Sequence, residues 1–542
     1  MFPSPITHLF FSTTPRTSPS YRTESARQFD EAYGLAYAQQ LKNKDIPEGG
    51  SKAVVLVDTA NVQGKARDFA KRKAVKGFVD GLLDLITETE ETKANILDYW
   101  GRREYLYLGP DEQIIPQDIT WIVRQAQKRQ YTNPSTFMSS KPDAGINHKV
   151  YGVTSEGIAV FLAVGLKRLG LDPRKDPFTI KLTGGTDGDV AGNMIKILHR
   201  DYGERARVVG LADGTAVVED PVGLPMPELL RMVEGSLPLS SFDSSTLSGT
   251  GQFHTVESEE GIRLRNTMHS RVVADAFIPA GGRPGTIDGS NYRAFLQGPD
   301  FKTPSARLIV EGANIFITPE ARKKLFEEAG VLIIKDSSAN KCGVICSSFE
   351  IVSSMLLSDA QFKEHKEEIV AEVLEKLRHY ARLEAELLFR EFANYPGHLP
   401  YFSERISNAI NLARDALTLG LENMTEEQYQ DLLPLFREHL PPTVVALGFD
   451  HVREKVPAQY IKNAFACTLA SRIVYREGTH FIESQPRERL AELCLRYLEE
   501  EREVQGLVAS LESGQPLTTE QRAQVHTILD VGGVRSLLFA AQ

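Results

Sequence analysis

Hydrophobic and polar positions alternate in three different ways along the chain. Up to about residue 163 the pattern is mixed. Residues 24–41 follow helical spacing, Ala53–Val57 is a continuous apolar run after the turn Pro47-Glu48-Gly49-Gly50, and Tyr105–Leu108 is a second run closed by Gly109-Pro110. Short apolar runs bounded by turn residues predict buried strands. Residues 131–149, rich in Ser, Pro, Asn and Gly, predict a loop, and Ser155 offers an N-cap for a helix carrying Ile158, Phe161, Leu162 and Leu166. From about 164 to 345, the apolar runs Phe178–Leu182, Arg207–Ala212, Val272–Ile278, Arg307–Val310 and Val331–Ile334 alternate with helical segments. That alternation predicts a parallel sheet with helices on both faces, in the doubly wound form that binds dinucleotides. From 346 to 542 the spacing is helical almost throughout, as at Ile369, Val370, Val373, Leu374 and Leu377. The charged run Glu499–Glu501 reads as a solvated helix face. The predicted class is therefore α/β: an N-terminal α/β domain (1–163), a Rossmann-type domain (164–345) and a helical C-terminal region (346–542).

Composition narrows this picture. A formal charge of −10 over 542 residues, without a long Lys/Arg block, argues against nucleic acid or an anionic membrane as the main partner. No stretch reads as the ~20 apolar residues a bilayer span needs. Cys342 and Cys346 are four apart while Cys467 and Cys494 stand alone, so neither a disulfide scaffold nor a zinc set is expected. The first twenty-three residues lack acids and hold nine Ser/Thr with Arg16 and Arg22, a faint transit-peptide likeness that four prolines oppose. A cytoplasmic location is expected, with mitochondria as the alternative.

Candidate chemistry begins at Thr183-Gly184-Gly185-Thr186-Asp187-Gly188-Asp189-Val190-Ala191-Gly192, between a predicted strand and a helix. Glycines there let a pyrophosphate approach the backbone, and the helix start offers unpaired N–H groups. Its spacing is not a clean GxGxxG, and no Gly-Lys-Ser/Thr follows, which disfavours a P-loop. Asp213 lies twenty-five residues beyond Gly188, at the end of the next predicted strand. A carboxylate there accepts from the adenosine ribose, and the lack of Arg or Lys in 212–218 favours NAD over NADP. Asp213-Gly214 equally suits a plain turn.

Five blocks in order carry a specific resemblance. The segment Lys42-Asn43-Lys44-Asp45-Ile46-Pro47-Glu48-Gly49-Gly50-Ser51-Lys52 resembles the active-site lysine motif of glutamate dehydrogenases, in particular the large NAD-specific class of the Glu/Leu/Phe/Val dehydrogenase superfamily. Gly109-Pro110-Asp111-Glu112 is similar to the catalytic aspartate block, and Tyr151-Gly152-Val153-Thr154-Ser155-Glu156-Gly157 to the helix linking the two domains. Glu311-Gly312-Ala313-Asn314 and Asn340-Lys341-Cys342-Gly343-Val344, running into Ser347-Ser348-Phe349-Glu350, resemble cofactor-side loops.

This resemblance implies reversible NAD-dependent deamination of L-glutamate to 2-oxoglutarate and ammonia in a homo-oligomer. It implies Lys52 as the base that activates water, Asp111 as the proton shuttle, and Lys42 with Gln39 on the α-carboxylate. Arg16 and Ser347 would then serve the distal carboxylate. Thr154, Ala280, Asn314 and Asn340 join Gly184, Gly185, Gly188, Asp189, Val190 and Asp213 on the cofactor. No metal is implied. The cleft would lie between the first two domains, closing about segments near Thr154 and Ser347. A lysine works as a base only when burial or a nearby cation lowers its pKa, and Lys42, ten residues before Lys52, could supply that charge. One position departs from the pattern: Ser12 stands where the family carries a basic residue four before the arginine matched by Arg16. The long N-terminal extension of the large class is also expected to be missing. Two alternatives follow, a dehydrogenase of another amino acid and a non-catalytic NAD-binding regulatory subunit.

Overall fold

The computed structural model describes residues 5–14, 19–60, 62–99, 101, 105–110, 114–422, 424–514 and 516–531. Two compact units emerge. The first takes in the described residues up to Asn43, Glu48–Ser403 and Leu440–Val456; the second takes in Lys44–Pro47, Glu404–His439 and the described residues from Pro457 onward.

In the first unit, strands β1 (Pro5–Thr14), β2 (Gly49–Asp58) and β3 (Tyr107–Pro110) make a parallel sheet in the order β2-β1-β3. The strand β1 occupies the stretch in which a transit-peptide likeness was noted, and it is the centre of this sheet. Alternate residues Ala53, Val55 and Val57 pack on a core of Val75, Val79, Leu83, Leu108, Ile119 and Ile122. That core comes from the helices after the strands, Lys65–Ile86 and Pro116–Lys128, preceded by helix α1 (Pro19–Lys42). The run 53–57 is thus half-buried rather than a fully buried strand, with one face covered.

The larger sheet has seven strands in the order β12-β11-β8-β4-β5-β6-β7, where β4 is Phe178–Thr183, β5 Ala206–Ala212, β6 Ala216–Glu219, β7 Gln252–Thr255, β8 Ala274–Pro279, β11 Ala306–Val310 and β12 Leu332–Ile334. A two-residue hairpin (β9 Leu296–Gln297, β10 Thr303–Pro304) lies outside it. Strands β4, β5, β8, β11 and β12 are parallel, as expected. The strands β6 and β7 are antiparallel additions at one edge, which the sequence reading did not anticipate. Chain order reverses between β4 and β8, and the carboxyl ends of strands at such a switch point form the crevice where open α/β sheets bind ligands.

The helix Val153–Arg168 runs through the middle of this unit, with Gly157 and Gly165 lying where a Cβ would come within 2.5 Å of Cys342 Sγ and 2.7 Å of Leu308 Cδ2. Contrary to the sequence reading, the helical stretch His148–Arg168 is long and apolar enough to cross a membrane. Most of it is buried in protein, and Glu156 within it accepts from Arg200 Nη1 (2.5 Å) and Arg378 Nε (2.9 Å). Ser155 is not an N-cap: the helix starts after Gly152 (φ +61°), and Ser155 Oγ donates to the Val190 carbonyl (2.9 Å).

The second unit is helical, with Glu426–His439, Ala458–Glu477 and Leu490–Glu512 among its helices. Within it, Tyr475 donates to Asp45 Oδ1 (2.6 Å), Lys44 Nζ to Ser407 Oγ (3.1 Å) and Cys467 Sγ to the Ile46 carbonyl (3.0 Å). Glu501 is buried between Arg472 and Arg476, so the run Glu499–Glu501 is not simply a solvated face.

Candidate active site

Helix α1 ends at Lys42 and the chain doubles back into β2. Gln40 Nε2 donates to the Gly50 carbonyl (2.5 Å) and Asn43 Nδ2 to that of Gly49 (2.7 Å), fixing the turn on the helix end. A Cβ at Gly50 would sit 2.6 Å from Gln39 Cβ and 2.7 Å from the Gln39 carbonyl carbon, so only glycine fits. Lys52 follows on β2, half-buried. Both Lys52 and Gly109 pair with His8 of the central strand, placing the two about 10 Å apart across two strand spacings. The continuation of Gly109-Pro110 is Asp111, which lies outside the described residues, as does Arg16; the backbone of Ser12 pairs with Leu56.

Lys42 is buried, and its Nζ donates to Asn314 Oδ1 at 2.6 Å. Asn340 Nδ2 donates to that same oxygen (2.9 Å) and to the Gly312 carbonyl (2.9 Å). The lysine turn and both cofactor-side loops therefore meet at one point. Burial pulls the Lys42 amine down to about 8, against the opposing pull of Asp336. Burial raises the Asp336 carboxyl, but Arg322 and Lys42 outweigh it and hold the group below its usual range. Arg322 bridges Asp336 (3.4 Å) and Glu311 (2.8 Å), and Glu311, wholly buried, is pushed up to about 7. Two buried acceptors beside this cluster, Gln39 Oε1 and Asn340 Oδ1, have no hydrogen-bond partner among the described residues. Buried acceptors are rarely left so, and a ligand that brings N–H donors would satisfy them.

On the nucleotide side, the crevice sits where the topology requires. Gly184 ends β4 with φ +110°, and a Cβ there would lie 2.9 Å from the Gly281 N beyond β8. Ala280 N–H donates to the Thr183 carbonyl (2.9 Å), locking the two strand ends together. The helix Asp189–Tyr202 opens after Gly188 without a side-chain cap, leaving first-turn N–H groups of the kind that bind phosphate. Asp189 is raised by burial, and Val190 Cγ1 would lie 3.1 Å from a Cβ on Gly312. Asp213 does end β5 beside Gly185, whose Cβ would come within 3.2 Å of its Oδ2. Its carboxylate already accepts from Thr215 N–H (2.6 Å), Thr215 Oγ1 (2.7 Å), Ala216 N–H (2.9 Å) and Leu239 N–H (2.9 Å). Those bonds tie the carboxylate into the turn after β5, three of them on Oδ1 and one on Oδ2.

Sequence comparison agrees with this arrangement. The profile of bacterial NAD-glutamate dehydrogenase catalytic domains matches residues 8–270, and that of glutamate/leucine/phenylalanine/valine dehydrogenases matches 145–397. The chain is 34% identical over 494 residues to the NAD-specific glutamate dehydrogenase of Neurospora crassa, covering 86% of this chain and 45% of that protein. Against the probable NAD-specific glutamate dehydrogenase of Schizosaccharomyces pombe it is 33% identical over 487 residues, with 84% and 42% covered. Over residues 8–397 the chain is thus similar to bacterial NAD-glutamate dehydrogenase catalytic domains and to glutamate/leucine/phenylalanine/valine dehydrogenases. It spans less than half the length of these two relatives. Its fold is also that of a solved glutamate dehydrogenase, with a TM-score of 0.51 at 16% identity over 75% of this chain and 79% of that one. The structure of Plasmodium falciparum glutamate dehydrogenase 2 gives 0.50 at 16% identity, over 74% and 75%.

Within this dehydrogenase frame, other residues take up their places. Thr154 stands at the helix start with its Oγ1 3.3 Å from where a Cβ on Gly343 would be. Ser347 is buried on the helix Cys342–Leu356, while its neighbour Ser348 reaches the lysine turn by donating to Glu48 Oε1 (3.0 Å). Sequence reasoning missed Asp336, Arg322, Glu48 and His148. His148 lies beside Gly343, its Nε2 buried without a hydrogen-bond partner among the described residues, and burial pulls the ring down to about 4. Asp336 carried one usable signal, since it closely follows an apolar strand in the parallel sheet, as Asp213 does.

Proposed function

We propose that this chain interconverts L-glutamate with 2-oxoglutarate and ammonia, using NAD as the redox partner. The observation that carries the reading is the 2.6 Å contact of buried Lys42 with Asn314, which joins the lysine turn to the nucleotide-side loops beside two unpaired acceptors. The residues fit a dinucleotide: Gly184 leaves the strand end bare, Gly188 leaves the helix start uncapped, and the 212–218 segment holds no cation to favour a 2′-phosphate. When bound, NAD would take the hydride leaving the amino-acid Cα. Lys42 would hold the α-carboxylate with Gln39 beside it, Lys52 would accept the proton of the attacking water, and Asp111 would exchange protons with the substrate nitrogen. Both names of the fungal relatives specify NAD and glutamate, which supports the choice.

The purified 542-residue chain should oxidise NADH when given 2-oxoglutarate and ammonium, and reduce NAD when given glutamate. Lys52→Ala should lose roughly 10²-fold or more of turnover, in the range expected for a general base, while NADH binding followed by fluorescence stays unchanged. Undiminished turnover would end the assignment of Lys52. Ser12 at the family's basic position favours a second reading, a dehydrogenase of another amino acid. A panel of glutamate, leucine, phenylalanine and valine decides between them, because a site built for a carboxylate strongly rejects an apolar side chain. The same reading includes a cytoplasmic homo-oligomer, checked by light scattering and cell fractionation.

A further inference from the structure

Ile315 adopts φ +47°, a left-handed conformation that a β-branched residue rarely takes. Its N–H donates to Asp336 Oδ2 at 2.8 Å. The other oxygen of that carboxylate accepts from Ser337 N–H (2.9 Å) and Arg322 Nη2 (3.4 Å), and Asp336 is wholly buried. Immediately before Ile315 stands Asn314, whose Oδ1 takes both Lys42 Nζ and Asn340 Nδ2. The direction in which Asn314 points is therefore set by a strained turn, whose Ile315 N–H is held by the Asp336 carboxylate while the Ile315 carbonyl accepts from Gly285 N–H (2.8 Å). Strained backbone of this kind persists only where its surroundings enforce it, and it concentrates at functional sites.

We propose that Asp336 is a positioning residue: it pins the left-handed turn at Ile315, aims Asn314 at Lys42, and supplies the negative charge that keeps Lys42 an ammonium ready for a carboxylate substrate. The proposal rests on the reading of Lys42 as the α-carboxylate clamp. The charged groups around Asp336 are Arg322 on helix Pro319–Ala329, Lys42 at the end of α1, its chain neighbour Lys335, and Glu311 across Arg322. Arg322 is already shared with Glu311, so Lys42 and Arg322 together balance the two carboxylates.

The test compares Asp336→Ala, Asp336→Asn and Asp336→Ala/Ile315→Gly, each in the whole 542-residue chain, with the parent chain. Amide hydrogen exchange over 312–317, measured without ligand, reads the turn independently of catalysis. Asp336→Ala should raise that exchange about tenfold or more, and Asp336→Asn, which keeps an acceptor for the Ile315 N–H, should leave it nearly unchanged. Glycine adopts positive φ freely, so the double variant should recover part of the lost KM. Both single variants should raise the glutamate KM by about tenfold with kcat changed far less, and NADH affinity should hold. In Asp336→Asn the rise of KM with pH should begin lower than in the parent chain, because the charge has gone while the turn remains. Unchanged exchange and unchanged KM in Asp336→Ala would overturn the proposal, as would altered exchange with unaltered KM. Should Asp336→Ala fail to fold, the KM and pH profile of Asp336→Asn decide. A parent chain with no glutamate turnover would instead defeat the proposed function, while the exchange data would still decide whether Asp336 holds the turn.

Discussion

Lys42 shows why one side chain's surroundings matter more than its type. An isolated lysine titrates near 10.4, but burial brings this amine to about 8. Below that pH it is an ammonium able to bind a carboxylate; above it, the amine is neutral and the attraction is lost. The glutamate KM is thus expected to rise as pH passes about 8, approaching about tenfold per unit once most of the amine is neutral. Lys42→Arg should flatten that rise, because a guanidinium stays protonated throughout, and steady-state kinetics from pH 6.5 to 9.5 would reveal it. A rise that persists in Lys42→Arg would assign the titration to another group. Little of this was legible in the sequence. A lone lysine is by default exposed, and Lys42 and Lys52 stood out only through the surrounding motif. Asp336 and Arg322 lie outside the resemblance blocks, and the only local mark on either is the apolar strand that Asp336 closely follows. Their importance comes from chain segments separated by almost three hundred residues meeting at Asn314.

Elements were more readable, because short apolar runs bounded by turns have few alternatives. The five parallel strands of the large sheet appear within two residues of the ends their side chains predict. The strand β1 escaped notice because its sequence, Pro5–Thr14, mixes Ser, Thr and His with apolar residues, and only pairing on both sides makes it a strand. At four residues each, β6 and β7 are too short for a periodicity to register. Junctions between elements were the most informative places, since glycine there answers a geometric demand. Gly50 is the sharpest case. Its Cβ would strike the backbone carbon of Gln39, which cannot rotate away as a flexible side chain could. Gly50→Ala should therefore destabilise the chain by about 1–3 kcal/mol in urea or thermal unfolding, the range for overpacking. It should also raise the glutamate KM, since the turn carries Gln39 and Lys42 on one side and Lys52 on the other. An unfolding midpoint equal to that of the parent chain would mean that α1 and β2 can separate without loss.

At the scale of the whole molecule, buried charge as well as the apolar core ties distant parts of the first unit together. Lys341 and Glu384 are both wholly buried and 2.5 Å apart, joining the start of the helix Cys342–Leu356 to the middle of the helix Lys366–Asn394. Ser338 donates to the other Glu384 oxygen (2.5 Å) and also bonds Ser403 (2.7 Å), so the pair anchors the segment after β12 that carries Asn340. Such a pair is hard to read from sequence, where a lysine and a glutamate forty-three residues apart look like two surface charges. Taking both ions out of water is expensive, and their attraction offsets that cost only while both are present. Lys341→Met should accordingly cost about 3–5 kcal/mol, because it removes the buried ammonium that lies against the Glu384 carboxylate. Glu384→Leu should be comparably harmful for the mirror reason. The double variant Lys341→Met/Glu384→Leu removes both charges and should be more stable than either single variant, which a denaturant double-mutant cycle measures directly. Strict additivity of the two losses would mean that the ions do not hold each other, and the anchoring of the Asn340 segment would then have to come from its other bonds and from apolar packing.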